Sequence, residues 1–335
     1  MAVTRADVAH RAGVSPAVVS YVLRPGMRPV ADATRERVLA AIEELGYRPN
    51  AIAQALRRGP TQSIGLLVPD HTNPFFGELA RAVEDIAFQE DYVLLMGSTA
   101  DDGAREARYV RAFVDRQVDA LLLVAARSHP ELGAAVGAGI PVVVLDRVPE
   151  GTGVSTVRSD GVQGAELAVD HLVALGHERI GIVAGPQDLV VADDRLLGWR
   201  AALRRAGLPH DERLVAHGAF SRAGGAAAAV ALLGRTDVTA MFVSSDVQAA
   251  GALTACAERG LAVPRDLSVV SFDGTELAPY TQPALTVVQQ PIAQIAGTAM
   301  RRLLARIAAP ATPASDDVLD TRLVVRGSTG PRPHD

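Results

Sequence analysis

Carboxylates, arginines and aromatic rings follow several apolar runs of this 335-residue chain. Carboxylates and an arginine fork can share the vicinal hydroxyl groups of a sugar, and aromatic rings can stack on its C–H face. A carboxylate at such a position can instead cap the next helix, and both interpretations stay open for any single aspartate. The residues concerned are Asp70, Asn73, Phe75, Phe76, Asp146, Arg147, Arg195, Phe220 and Asp273.

A series of buried strands has to position these residues. Continuous apolar runs separated by helix-length segments are typical of parallel sheets with helices on both faces. Ligands of such open sheets bind beyond the carboxyl ends of the strands. The runs are too many for one sheet, so the sequence predicts two subdomains with a ligand cleft between them. The predicted strands are 63–69, 92–98, 119–125, 140–146, 179–185, 240–245 and 267–273.

The composition indicates about two globular domains and excludes several classes of site. All 33 basic residues are arginine, which excludes a Walker A phosphate loop, a Schiff-base lysine and a Ser-x-x-Lys acyl-transfer site. Cys256 is the only cysteine, which excludes disulfides, Cys-ligated zinc and Fe–S clusters and suits a reducing compartment. The first residues lack the apolar core of a signal peptide, and no apolar run approaches the ~18 residues of a membrane span. We therefore expect a cytoplasmic protein that contacts no membrane and holds no cofactor or metal ion.

The charge is divided unevenly along the chain. Residues 1–60 contain nine arginines and five acidic residues, a net charge of +4, whereas the other 275 residues contain 24 arginines and 33 acidic residues, a net charge of −9. A basic segment on an acidic body favours contact of that segment with a polyanion such as DNA. An excess of four charges can also arise by chance, so the pattern within the segment has to decide.

Two short helices with marked ends are predicted at the start of the basic segment. Thr4 and Asp7 form a capping box for the first helix, and Gly13 ends it. Ser15 and Pro16 begin the second helix as its N-cap and first residue. Two helices of about seven residues joined by a turn form a helix-turn-helix, whose second helix can lie in the major groove of DNA. Any three-helix bundle would show the same helices, so this pattern alone leaves the function open.

A third helix is predicted over residues 32–45. Ala31 has no side-chain acceptor, so we expect Asp32 to be the N-cap of this helix. Gly46 follows the helix and ends it. Its apolar repeat consists of Val38, Leu39, Ile42 and Leu45.

Ordered sequence motifs extend the pattern over nearly the whole chain. They are VTRADVAHRAGVSPAVVSYVL, TRERVLAAIEELGYRPNAIAQAL, IGLLVPDHTNPFF, LGHERIGIVAG, ADDRLLGW, VSSD, SVVSFDG and LVVRGST. With these motifs the chain resembles the lactose-repressor (LacI/GalR) family of bacterial transcription regulators. The resemblance implies an α/β protein with a three-helix helix-turn-helix domain (1–48), a hinge helix and linker (49–60), and a two-lobed periplasmic-binding-protein-like body of parallel sheets (61–335).

The resemblance implies that the chain binds a pseudo-palindromic operator in double-stranded DNA as a homodimer. Val18 and Tyr21 replace the threonine and arginine of the usual recognition helix, so the operator sequence stays open. Leu56 stands where the family wedges a leucine into a base step once two hinge helices pair over the minor groove. The implied DNA-contacting residues are Thr4, Ser15, Pro16, Ala17, Val18, Ser20, Tyr21, Arg24, Asn50, Ala53 and Leu56.

The resemblance also implies a small-molecule effector in the cleft. Asp146, Arg195 and Asp273 match the ligand-contacting positions of the family, and Ser245 stands where an asparagine often contacts the ligand. Residues 189–191 are apolar where purine-responsive relatives carry polar side chains, which favours a sugar over a purine. The cleft has few basic residues for a phosphate group, which favours a neutral sugar. A purine, a nucleoside or a corepressor is the alternative effector.

The resemblance predicts a ligand-controlled repressor that is not an enzyme, because the family binds its ligand without turning it over. Aspartates in the cleft could act as an acid/base pair, but the motifs supply no nucleophile or metal set. A solute-binding sensor without DNA function is a further alternative, which the helix-turn-helix and hinge segments disfavour. The tail after LVVRGST has no leucine heptads, so we expect a dimer and not a tetramer.

Overall fold

The computed structural model describes residues 3–23, 29–47, 61–125, 130–145, 152–187 and 189–333. The chain divides into two compact units, one up to Thr61 and one from Gln62 onward. We call the first unit the head and the second the body. No helix among the described residues is long and apolar enough to cross a membrane.

The described part of the head contains the three helices that the sequence predicts. They are α1 (Arg5–Ala12), α2 (Pro16–Val22) and α3 (Asp32–Leu45). Val8, Val19 and Val38, one from each helix, are fully buried and pack in one core. The apolar spacing along each helix therefore produces a single shared interior.

The predicted ends of the first two helices are confirmed. The backbone N–H of Asp7 donates to the Thr4 hydroxyl at 3.3 Å, and the Asp7 carboxylate accepts from the Thr4 backbone N–H at 2.7 Å. Gly13 ends α1 with a φ of +65°, a left-handed conformation that favours glycine. The Ser15 hydroxyl accepts from the backbone N–H of Val18 at 3.4 Å and caps α2.

Two predictions for the third helix are wrong. Ala31 and not Asp32 is the N-cap: Ala31 has extended backbone angles, and its carbonyl accepts the first helical hydrogen bonds, while Asp32 is already helical. Leu39 has 48% of its surface exposed, although it belongs to the predicted apolar repeat. Val38 and Ala41 occupy the buried face, and Leu39 lies one residue away from it along the helix.

One six-stranded sheet of the body, with its helices, forms what we call the N-lobe. Its strands are β1 (Ser63–Val68), β2 (Val93–Ser98), β3 (Ala120–Leu123), β4 (Val142–Val144), β5 (Ser155–Ser159) and β11 (Asp316–Leu319). They lie in the order β11–β5–β4–β3–β1–β2, and every pair is parallel. The helices are α4 (Pro74–Gln89), α5 (Gly103–Asp115), α6 (Gly133–Gly137) and α11 (Ile292–Ala308).

A second six-stranded sheet forms the C-lobe. Its strands are β6 (Ile180–Ala184), β7 (Val215–His217), β8 (Ala240–Val243), β9 (Ser268–Asp273), β10 (Thr286–Gln289) and β12 (Arg322–Val324). They lie in the order β12–β10–β9–β8–β6–β7, and only β12 pairs antiparallel among them. The helices are α7 (Gly161–Ala174), α8 (Val190–Arg205), α9 (Arg222–Leu233) and α10 (Asp246–Glu258).

The chain passes between the lobes three times. The first crossing joins β5 to α7, the second joins β10 to α11, and the third joins β11 to β12. The seven predicted strands are all present within two residues of their predicted ends. The strands β5, β10, β11 and β12, which lie next to these crossings, were not predicted.

Close packing of α7 against α8 fixes the helix that carries Arg195. A Cβ atom at Gly198 would lie 2.3 Å from the backbone carbonyl oxygen of Val162, so only glycine fits there. Trp199, the next residue, is fully buried in the core of the C-lobe. The first turns of α8 are thereby held beside the carboxyl ends of the C-lobe strands, where a ligand of an open sheet binds.

Candidate functional site

A cavity of about 240 Å³ lies between the two lobes of the body. It lies beyond the carboxyl ends of strands from both sheets, as the strand pattern predicts. The predicted residues Asp146 and Arg147 lie outside the described residues. The other predicted ligand residues all line the cavity: Asp70, Asn73, Phe75, Phe76, Arg195, Phe220, Ser245 and Asp273.

A buried ion pair occupies the C-lobe side of this cavity. A terminal nitrogen of Arg195 lies 3.6 Å from Oδ1 of Asp273, and the side chains are only 8% and 5% exposed. The Arg195 guanidinium carbon lies 4.0 Å from the ring centre of Phe272 and 5.7 Å from that of Phe220. The guanidinium also donates to the backbone carbonyl of Ser244. These contacts hold the guanidinium plane in one orientation before any ligand arrives.

The Asp273 carboxyl group is held in an unusual conformation and environment. Its φ is +113°, a region that costs a non-glycine residue about 1–3 kcal/mol and is concentrated at functional sites. The pKa of Asp273 is raised to about 7, mainly by burial and also by the nearby Asp246 charge, against the opposing effect of the Arg195 charge. The carboxyl group can therefore exchange a proton near neutral pH.

A chain of hydrogen bonds connects Asp273 to the N-lobe. The side-chain amide of Gln290 donates to Oδ1 of Asp273 at 2.8 Å. The hydroxyl of Ser159, at the end of β5, donates to the amide oxygen of Gln290 at 2.6 Å. Ser159 precedes the first crossing and Gln290 lies at the second, so this chain joins the binding site to both connections.

Two further buried polar residues on α10 fix the loops of the C-lobe side. The Gln248 amide donates to the carbonyls of Ala184 and Gly218, at 3.2 and 2.9 Å, and joins the ends of β6 and β7. The Asp246 carboxylate accepts from the Ser271 hydroxyl at 2.5 Å and from the Thr275 backbone N–H at 2.7 Å. Polar side chains with satisfied partners make this wall rigid.

Some predicted ligand residues also have a local structural role. The Asn73 side chain caps α4 by accepting from the Phe75 backbone N–H at 3.1 Å, and Ser245 caps α10 in the same way. The Asp70 carboxylate accepts from the backbone N–H and the hydroxyl of Thr72, both at 2.8 Å. These residues line the cavity and shape its loops, so the capping interpretation is confirmed for Asn73 and Ser245, while a contact of any of them with a ligand stays a prediction.

The rest of the N-lobe wall is mainly apolar. The rings of Phe75 and Phe76 meet edge to face, with their centres 5.3 Å apart and an angle of 77° between their planes. Residues 189–191 from the C-lobe add three aliphatic side chains to the lining, as their sequence predicts. The further apolar lining residues are Leu79, Val124, Ala125, Leu145, Val157 and Ile295.

Several polar lining residues were not predicted from the sequence. Asp194 and Ser221 adjoin the predicted residues Arg195 and Phe220, so the motifs that carry those residues could have indicated them. Arg158 lies on β5, a strand that was not predicted. The described lining contains four aspartates against two arginines: Asp70, Asp101, Asp194 and Asp273, with Arg158 and Arg195.

The predicted DNA-contacting residues of the head fall into two groups. Pro16 and Ala17 are exposed at the start of α2, and Val18 and Tyr21 are partly exposed. The side chains of Thr4 and Ser15 cap helices, while the Ser20 hydroxyl donates to the Pro16 carbonyl and accepts from Arg5. The remaining predicted residues, Arg24, Asn50, Ala53 and Leu56, lie outside the described residues, as does the predicted hinge helix.

Comparisons with known proteins match both units of the chain. Residues 4–50 match the family "Bacterial regulatory proteins, lacI family", and residues 169–329 match "Periplasmic binding protein-like domain". The HTH-type transcriptional repressor CytR of Escherichia coli K12 is 35% identical over 333 residues, which cover 98% of this chain and 96% of CytR.

Solved structures extend the likeness to the whole fold. The Lac repressor dimer bound to operator and the anti-inducer ONPF has a TM-score of 0.87 at 30% identity, covering 98% of this chain and 100% of that one. A complex of the transcriptional regulator CelR with cellobiose has a TM-score of 0.75 at 34% identity, covering 97% and 99%.

Proposed function

We propose, from the premise that this chain belongs to the lacI family of bacterial regulatory proteins, that a small neutral sugar between its lobes controls its affinity for operator DNA. The chain is homologous to transcriptional repressors along almost its whole length. The proposal therefore concerns the effector, the residues that bind it and the way in which binding is transmitted.

The observation that carries the proposal is the buried Arg195–Asp273 pair on the C-lobe side of a cavity whose N-lobe wall is mainly apolar. A charged pair that is already oriented can donate to one sugar hydroxyl and accept from its neighbour. The rings of Phe75, Phe76 and Phe220 can cover the C–H faces of the same sugar. Such a cavity suits a ligand with polar edges and apolar faces.

Charge and size narrow the class of ligand. The described lining residues carry four aspartates and two arginines, which disfavours a phosphate or another strongly anionic group. The volume of about 240 Å³ lies below the ~300–1,000 Å³ of pockets for drug-sized ligands. These features favour a single neutral sugar ring, and the complex of the related CelR with cellobiose agrees with the carbohydrate class.

A nucleoside is the second candidate. The edge-to-face rings of Phe75 and Phe76, with the aliphatic residues 189–191, could enclose a base as well as a sugar face. The same aliphatic segment offers no side-chain donor or acceptor to the edge of a purine. This observation places a nucleoside behind a sugar in our proposal.

We further infer that the protein acts as a cytoplasmic homodimer that binds its effector without chemical turnover. The Lac repressor structure is a dimer on its operator, and a two-fold dimer fits a pseudo-palindromic site. In this proposal, ligand binding changes the angle between the lobes and thereby the spacing of two operator-binding heads. Either sign of the response, induction or corepression, is compatible with the cavity.

A thermal-shift screen tests the effector class. The purified full chain is mixed with D-glucose, D-galactose, D-ribose, cellobiose, cytidine, adenosine and glucose 6-phosphate, because a ligand selective for the folded state raises Tm by mass action. A shift with a neutral sugar supports the proposal. A shift only with nucleosides or the phosphate, or with no compound, overturns the sugar assignment and leaves the family assignment intact.

A Leu56→Ala variant tests the proposed hinge separately from the cavity. We expect weaker operator binding because a leucine wedge between bases is lost, with unchanged affinity for the sugar found in the screen. The measurement is a gel-shift titration beside a calorimetric titration, with Leu197→Ala on the exposed surface of α8 as the control. Equal losses of both affinities would contradict a hinge role for Leu56.

A further inference from the structure

Arg158 stands out in the cavity wall because its guanidinium is poorly satisfied. Its Nε–H is buried and has no hydrogen-bond partner among the described residues. Its recorded ion pair is with Asp316, whose Oδ2 lies 3.7 Å from a terminal nitrogen, beyond hydrogen-bond distance. A guanidinium has five N–H donors, and buried donors of this kind are nearly always paired. The described part of the chain therefore leaves donor capacity of this side chain unused.

The position of Arg158 relates this unused capacity to the ligand. The side chain is only 17% exposed and lines the cavity, whereas Trp199, whose buried Nε1 also lacks a hydrogen bond among the described residues, lies outside the lining. The buried Nε of Arg195 makes no hydrogen bond within the described part of the chain either, but the guanidinium of Arg195 is engaged by Ser244 and Asp273 through its terminal nitrogens. Arg158 also precedes Ser159, whose hydroxyl begins the chain of hydrogen bonds to Gln290 and Asp273. The N-lobe thus brings a cationic donor to the cavity opposite the C-lobe pair.

The contrast with Arg195 shows which arginine has donors to spare. Arg195 donates to the Ser244 carbonyl, pairs with Asp273 and lies over two aromatic rings. Within the described ranges, Arg158 has only the long contact with Asp316, and that carboxylate, 61% exposed, also accepts from the Thr156 hydroxyl. An oxygen of a ligand can therefore attract the Arg158 guanidinium with little competition from the protein.

We propose that Arg158 is a specificity-determining residue of the cavity, whose guanidinium donates to a hydroxyl or ring oxygen of the bound neutral sugar. The inference rests on the proposed sugar-binding function and adds a contact from the N-lobe to it. The ligand oxygen takes up donor capacity of a guanidinium that the described residues satisfy poorly, so sugars without an oxygen at that position are rejected.

The test compares an Arg158→Met variant with the wild-type protein. Methionine keeps an unbranched apolar stem and removes every donor, so we expect the affinity for the best neutral sugar of the screen to fall roughly ten- to a hundredfold. The Tm of the ligand-free protein stays equal or rises, because a poorly satisfied buried donor has been removed. Both quantities are measured, by isothermal titration and by thermal unfolding.

An Arg302→Met variant is the matched control. Arg302 donates two hydrogen bonds, of 2.7 and 2.9 Å, to Asp317, which follows Asp316 on the strand β11. Arg302 does not line the described cavity. It should retain the sugar affinity of the wild type. An Asp316→Asn variant removes the carboxylate charge that pairs with Arg158 in the described structure and should also keep the affinity within a few fold.

Monodeoxy derivatives of the same sugar locate the contact. One derivative should bind the wild-type protein at least tenfold more weakly than the parent sugar does. The same derivative and the parent sugar should bind the Arg158→Met variant with equal affinity, and this pattern is the signature of a direct contact in a double-mutant cycle. An Arg158→Gln variant, which retains a donor, should recover part of the affinity and serves as the substitute if the methionine variant does not fold.

Three results would overturn the inference. Unchanged affinity in Arg158→Met removes Arg158 from the site while the sugar-binding function stands. A lower Tm without ligand, with the same affinity loss in Asp316→Asn, makes Arg158 a structural support of β11. Absence of any sugar binding in the wild-type protein overturns the proposed effector and this inference together.

Discussion

The two lobes have the same strand order but give the cavity different walls. When the strands of each lobe are numbered in the order in which they occur along the chain, both sheets have the spatial order 2-1-3-4-5, and a strand from the end of the chain follows at the edge. The C-lobe side presents the buried Arg195–Asp273 pair with its supporting residues on α10. The N-lobe side presents aromatic and aliphatic side chains, with Arg158 as a poorly satisfied donor. One fold thus supplies a rigid polar wall and an apolar wall.

The outer edges of the sheets differ as well. On the edge strand β2 of the N-lobe, Val93 is 64% and Met96 is 43% exposed. The corresponding strand β7 of the C-lobe has Val215 and Ala216 buried. Exposed apolar side chains on an edge strand favour contact with another chain. From this comparison we expect polar recognition of the ligand at the C-lobe and a contact between subunits at the N-lobe edge.

The largest effect is expected from Arg195→Met, which breaks the polar wall. A hydrogen bond from a charged donor contributes about 1.5–3 kcal/mol, so loss of the Arg195 donor should lower sugar affinity up to roughly a hundredfold. Removing one partner of a buried ion pair also lowers the stability of the protein by about 3–5 kcal/mol. Operator binding in a gel-shift assay should survive at temperatures where the variant is folded. Arg179→Met is the control, because Arg179 pairs with Asp237 on the surface. Loss of operator binding by the folded variant would make Arg195 structural.

The next effect is expected from Val93→Glu at the edge of the N-lobe. A charge in an apolar contact between copies should move the protein from dimer to monomer and weaken operator binding roughly tenfold or more. Light scattering after size exclusion gives the mass. Val230→Glu on the exposed surface of α9 should remain dimeric. If both variants behave alike, β2 has no special role in assembly.

Phe76→Ala should have a smaller effect on the apolar wall. Loss of ring contact with a sugar face costs about 1–2 kcal/mol, or roughly tenfold in Kd. Phe88 lies on the same helix and is 79% exposed, so the Phe88→Ala control should leave the affinity for the sugar unchanged. A loss as large as that of Arg195→Met would contradict the division of roles between the walls.

The smallest effect is expected in the pH dependence of stability. The pKa of Asp273 is about 7 in the folded protein and 3.8 in the unfolded reference, so the folded state binds the proton more tightly between these values. This contribution to the free energy of unfolding is present below pH 4 and is lost as the pH rises through 7. Asp273→Asn should therefore flatten the fall of Tm between pH 5 and 8 by a few degrees. Parallel profiles of the two proteins would contradict a raised pKa.

The sequence predicted the three head helices and the central strands because their patterns are local. A continuous apolar run such as 63–69 indicates a buried strand. The side chains of Thr4 and Ser15 cap their helices by accepting from the backbone N–H of the third residue after them. Asp70, Arg195 and Asp273 were identified because they follow such runs or stand in motifs. In each case the residues that indicate an element or a site are close in sequence to the element or site that they indicate.

The unpredicted strands depend on contacts that the sequence does not display. The strand β5, with the letters STVRS, has no apolar run, and β11 begins with two aspartates. They become strands because each pairs with a neighbour 160 residues away along the chain. Arg158 escaped notice for the same reason, since a residue can be assigned to a cavity wall only after its strand is recognised. The N-cap of α3 was predicted one residue too late, at Asp32. Ala31 has an extended backbone and acts as the N-cap without a side-chain hydrogen bond.

The three crossings, described above as connections, also define a fulcrum. The hydrogen bonds from Ser159 to Gln290 and from Gln290 to Asp273 place this cavity-lining carboxyl group close to two of these crossings, where the lever arm is shortest. A small shift at a fulcrum grows with distance from it and becomes a larger displacement at the far edge of a lobe. We therefore expect a small molecule bound at this point to reposition a large surface of the body.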